Sequence, residues 1–176
     1  MSTLRNSRAT GFSLIELMVG IIILAILASI AIPDFKIWLQ NSQIRNATES
    51  ILNGLQQARA AAVSRNASME FTLGSGTSWA VNEIGGTSNP IATRTSAEGS
   101  KSVIATVTPA GATTVTFNNF GSVVSNADSS PTVTQVELDS SILAPADSRQ
   151  LRVTIGAGGK VRMCDPQASG TSLTAC

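Results

Sequence analysis

Residues 11–33 read GFSLIELMVGIIILAILASIAIP. From Phe12 to Ile32 there are 21 residues and a single charge, Glu16. An apolar run of this length crosses the roughly 30 Å hydrocarbon core of a bilayer as one helix. Arg5 and Arg8 precede it with no acid between them, so the positive-inside bias predicts a cytoplasmic N-terminus. The remainder is then expected on the far side. A plain anchor explains the length but not Glu16, because a carboxylate costs about 2.5–3.5 kcal/mol at the centre of a span and less near its end. A cleaved signal peptide is a second reading, with Ser29-Ile30-Ala31 as the small-residue site. Against it, the run exceeds the roughly 7–15 residues of a signal core and carries an acid.

Beyond the run, Pro33 is expected to break or kink a helix, since it removes a donor and crowds the preceding turn. Past it, Ile37, Ile44, Ile51, Leu55, Ala58 and Ala62 fall on one helical stripe, with Gln40, Gln43, Asn46, Asn53 and Gln57 opposite. That spacing predicts an amphipathic continuation over 33–67 whose stripe lies against a globular domain. From residue 68 the period changes to two. Strands are predicted at 69–73 and 79–84, joined as a hairpin through Gly74-Ser75-Gly76, and at 102–108, 113–118, 132–138, 151–155 and 160–164. Residues 85–99 read as a polar loop. In the last hairpin a three-residue loop, Ala157-Gly158-Gly159, sets Ile155 opposite Val161 and Val153 opposite Met163. Arg152, Thr154, Lys160, Arg162 and Cys164 then share the other face. The fold class is α+β: a long N-terminal helix on an antiparallel sheet or small sandwich.

Composition narrows the function. Charged residues make up 13% of the chain and its net charge is +1; without Arg5 and Arg8, ten basic side chains face eleven acidic ones. Any nucleic-acid role must therefore rest on a local patch. There is no histidine, the commonest general base and metal ligand. Asp128, Glu137 and Asp139 read as surface charge near turns. No catalytic constellation, metal site or cofactor motif is visible, and an enzyme is not expected. Cys164 and Cys176 are expected to form one disulfide closing the tail if the domain lies outside the cytoplasm, and two thiols otherwise.

A third reading of the opening stretch accounts for all of it. Gly11-Phe12-Ser13-Leu14-Ile15-Glu16 resembles the processing site of type IV prepilins, and residues 11–33 are similar to that family throughout, Pro33 included. The resemblance implies a leader over 1–11, cleavage between Gly11 and Phe12 by a prepilin peptidase, and N-methylation of Phe12 by the associated methyltransferase. It implies a transmembrane and filament-packing helix over 12–32, with Glu16 and Pro33 as assembly residues. A buried carboxylate needs a cationic partner, and the resemblance implies that this partner is the processed amino terminus of a neighbouring subunit.

The domain over 68–176 and the helix before it resemble the GspH/FimT branch of minor pilins and pseudopilins. The resemblance is carried by residues 55–62 (LQQARAAA) with Arg65-Asn66, by Phe117-Asn118 with Gly121, and by residues 159–165 (GKVRMCD). It implies a single-pass inner-membrane protein with a periplasmic domain, assembled with other pilin or pseudopilin subunits into a type IV pilus or a type II secretion pseudopilus. Some FimT members bind double-stranded DNA during natural transformation through a Gly-Arg-x-Arg motif. Here the stretch is Gly159-Lys160-Val161-Arg162, in which lysine keeps the charge but lacks the bidentate fork. Arg152, Lys160 and Arg162 are the candidate DNA-binding residues.

Overall fold

The computed structural model describes residues 12–86 and 89–176; the leader and Gly11 lie outside them. One helix, α1, runs Leu14–Arg65 and is followed by nine strands among the described residues: β1 (Met69–Leu73), β2 (Trp79–Glu83), β3 (Ala92–Arg94), β4 (Val103–Thr108), β5 (Thr114–Phe117), β6 (Val123–Val124), β7 (Gln135–Ser140), β8 (Leu151–Ile155) and β9 (Val161–Cys164). The chain divides into two compact units at Lys36/Ile37.

In the first unit, the described side chains are exposed on every side of α1. A helix apolar all round has no solvated face to show. Ser13 caps it: its Oγ accepts from the Glu16 amide at 3.3 Å, and its carbonyl accepts from Leu17 N at 3.2 Å. The helix runs unbroken through Pro33, so the break expected there does not occur.

The second unit packs residues 37–65 of α1 on two antiparallel sheets, one ordered β3-β2-β1-β5-β6 and the other β4-β7-β8-β9. Ile44, Ile51, Leu55, Ala58 and Ala62 are buried as their spacing predicts, joined by Ala47, Thr48 and Gly54. Ile37, Gln40 and Gln43 are half-buried, so the two glutamines do not belong to the solvated side assigned to them. Gly54 marks the seat of the helix. A Cβ there would lie 2.8 Å from the Phe71 ring and 2.9 Å from that of Trp79, so the close approach requires glycine despite its cost inside a helix. The two rings stack at 5.7 Å, and Trp79 Nε1 donates to Ser50 Oγ at 2.9 Å.

Most of the predicted strands form where their alternation places them, and the first hairpin pairs Leu73 with Trp79. Three details differ. The polar loop at 85–99 contains β3, a three-residue edge strand paired with β2. β6 is only two residues long and was not anticipated. The strand expected at 132–138 changes sheets: Thr132 bridges Thr114 beside β5, and pairing with β4 begins at Gln135 and continues to Ser140. The β8–β9 register is the expected one, with Ile155 opposite Val161 and Val153 opposite Met163.

Candidate functional site

Two regions carry the predicted site residues, one in each unit. In the first, Phe12 is exposed just ahead of α1 and Glu16 is exposed in its first turn. Together with Leu17, Gly20, Ile21 and Leu24 they line a shallow groove along the helix. Gly20 supplies the notch, since nothing stands within 4 Å of where its Cβ would be. The Ser13–Glu16 spacing is a helix-start signature that the sequence carried and the reading above missed. It places Glu16 where the positive end of the helix dipole favours a carboxylate. Gly11, the other half of the processing site, lies outside the described residues.

In the second unit the β8–β9 ribbon carries Arg152, Lys160 and Arg162. Arg152 stands opposite Cys164, and its Nη2 donates to Glu137 Oε2 on β7 at 2.9 Å, both side chains being about three-quarters buried. Glu137 is therefore not the surface charge near a turn that was expected. It sits within β7, opposite Arg152, and neutralises it. Arg162 is exposed and donates from Nη2 to the Ala175 carbonyl at 2.7 Å. Lys160 is exposed too, and lines a groove with Arg59, Ala60 and Val63 of α1. The two cations differ in setting: Arg162 lies under the tail, and Lys160 stands at the helix.

Cys164 and Cys176 are disulfide-bonded with their Cα atoms 5.0 Å apart. The bond folds the last twelve residues back over β9, where Asp165 N donates to Thr174 O at 2.7 Å and Cys164 becomes buried.

The segments 55–62, 117–121 and 159–165 meet at one point. Arg59 Nε donates to the Gly121 carbonyl at 3.0 Å, and Val123 N donates to Ala157 O at 2.9 Å. Asn119 Nδ2 donates to Asn66 Oδ1 at 3.0 Å. The contact joins the end of α1 to the β5–β6 and β8–β9 turns, and so ties one sheet to the other. Among the described residues no group of His, Cys, Asp or Glu converges as metal ligands would.

The family described as Type II transport protein GspH matches residues 47–159, and the prokaryotic N-terminal methylation motif matches residues 6–32. No curated protein matches the sequence significantly. Among solved structures, the chain is similar to the type IV minor pilin FimU of Pseudomonas aeruginosa, with a TM-score of 0.53 at 17% identity over 77% of this chain and 98% of FimU. A second crystal form of FimU gives 0.49 at 18% identity, over 73% and 98%. At such identity the likeness is one of fold: a long N-terminal helix on antiparallel sheets.

Proposed function

This chain belongs to the GspH family, and from that premise we propose that it is a minor pilin or pseudopilin that helps a filament assemble. Its role is structural, in a pilus-type assembly with other pilin subunits. The observation that carries the finer reading is the first unit: an apolar helix, exposed on all sides, whose one acid between Phe12 and Ile32 stands in its first turn. Before assembly the inner membrane covers that helix, with the N-terminus cytoplasmic and the domain periplasmic. Prepilin peptidase cuts between Gly11 and Phe12 and the new amine is methylated. In the filament, neighbouring helices replace lipid, and Glu16 pairs with the processed amino terminus of an adjacent subunit, which offsets the cost of burying a lone carboxylate. Glu16→Leu is expected to leave membrane insertion intact and to abolish incorporation into filaments, read by fractionation and by immunolabelling of sheared filaments. Normal incorporation of the variant would refute the pairing.

A second reading, capture of double-stranded DNA by the filament, is favoured by Lys160 and Arg162, which stay exposed with no carboxylate paired to either among the described residues. Arg152 contributes little to it, being matched by Glu137. Lys160→Ala/Arg162→Ala is expected to lower the slope of log affinity against log salt by about 2. Equal duplex binding by parent and variant would remove this reading.

A further inference from the structure

Strand β9 is the last of its sheet, and part of its backbone is left open. Ile155 N donates away from β9, to Thr134 O at 2.9 Å, whereas Gly156 N donates toward it, to Lys160 O at 2.9 Å. Along an antiparallel pair, residues that exchange hydrogen bonds alternate with residues that do not. Arg162 and Cys164 therefore bond to β8. Val161 and Met163, opposite Ile155 and Val153, turn their N–H and C=O groups outward.

Asp165 continues the outward series, and the chain's own tail takes it up. Asp165 N donates to Thr174 O at 2.7 Å and Asp165 O accepts from Cys176 N at 3.3 Å, in a parallel bridge with Ala175. The outward groups of Val161 and Met163 have no such partner among the described residues. This edge is thus paired at one end and open at the other.

The side chains beside the open stretch select by charge. Near Val161 a groove is lined by Gln56, Arg59 and Val63 of α1 together with Lys160. Near Met163 a second groove is lined by Arg45 of α1, Arg149, Leu151 and Thr174. Arg45 is matched by Glu49 at 2.9 Å. Arg59, Arg149 and Lys160 are exposed, and none is ion-paired among the described residues. The acid in these linings is Asp165, half-buried, whose Oδ1 already accepts from Gln167 N at 2.8 Å. Cations flanking an open edge repel a second copy of that edge and attract carboxylates. Val161, Met163 and Leu151, each half-buried, supply apolar contact between them.

We propose that β9 binds an extended acidic segment of a partner protein, which adds a strand along residues 161–163 and sets its carboxylates against Arg59, Arg149 and Lys160. Main-chain bonds hold such a segment, and the flanking charges choose it. Lys160 is common to this site and to the duplex reading above. The two differ in chemistry, because a duplex backbone has no N–H to offer the open carbonyls of Val161 and Met163.

The test uses the full chain in detergent micelles and a fluorescein-labelled peptide of alternating valine and glutamate, followed by anisotropy. A valine–lysine peptide is the charge control. Two further versions carry N-methyl groups on every valine or on every glutamate, so each loses the donors of one edge alone. The acidic peptide is expected to bind and the basic one not. One N-methylated version should bind at least about tenfold more weakly while the other keeps the parent affinity. Arg149→Glu/Lys160→Glu is expected to weaken the acidic peptide by at least about tenfold as well. Parent affinity in both N-methylated versions overturns strand addition and leaves charge attraction alone. Equal binding of the acidic and basic peptides overturns the choice of occupant. Binding of duplex DNA that the charge reversal removes, with no peptide bound, also overturns the proposal and gives these cations to nucleic acid.

Discussion

A Cβ built on Gly159 would lie 1.8 Å from the carbonyl oxygen of Gly121 and 3.0 Å from Arg59 Nε, and its φ of 75° is one that L side chains avoid. Gly159→Ala therefore has to strain the backbone and push the two turns apart. We expect it to lower stability by at least about 3 kcal/mol. Gly158→Ala next door, with nothing within 4 Å, should cost under about 0.5 kcal/mol. Denaturant titration of the two variants separates them. The need for glycine at 159 was only partly legible. Its place in a tight loop was read correctly, but its contact with Gly121 depends on strands from different sheets meeting. The same holds for Arg152: its face was read from alternation, whereas its neutralisation by Glu137 depended on where β7 begins pairing. Ser13 is the reverse case, a local signal that was present and missed.

Among the elements, β7 and the loop after it respond to pH through Asp139. Burial is the largest single influence on its carboxyl and opposes ionisation. Hydrogen bonds from Ser148 Oγ, Gln150 Nε2 and the Ser140 amide together outweigh it, so the pKa falls below the ordinary 3.8. A carboxyl lowered in the folded state stabilises fully above its unfolded value, and that stability is lost as pH falls through the folded one. Acid unfolding followed below about pH 4 should thus be less steep in Asp139→Asn than in the parent. The C-terminal tail depends on a covalent tie instead. The disulfide closes a loop with a sequence separation of 12, so Cys164→Ser/Cys176→Ser is expected to cost about 3 kcal/mol in chemical denaturation. Strands with four or more alternating residues announced themselves. β3 and β6 did not, being too short for periodicity, and the sheet change at Val133–Thr134 is invisible to alternation because both segments alternate alike.

On the scale of the whole molecule, the division at Lys36/Ile37 follows the change in composition that the first reading rested on, from an uninterrupted apolar run to a stripe shared with polar residues. The long helix and the β-rich remainder were legible for that reason. The strand order β3-β2-β1-β5-β6 was not, since it turns on the pairing of β1 with β5, segments far apart in the chain with β4 in the other sheet between them. The seat of the helix at Gly54 carries a practical consequence. The protein has no tyrosine and two tryptophans, Trp79 with 7% of its surface exposed beneath the helix and Trp38 largely uncovered. Ultraviolet emission therefore comes from two chromophores in opposed surroundings. The bluer one belongs to the junction of helix and sheet, so lifting the helix from its sheet would change the colour of that light without any added dye.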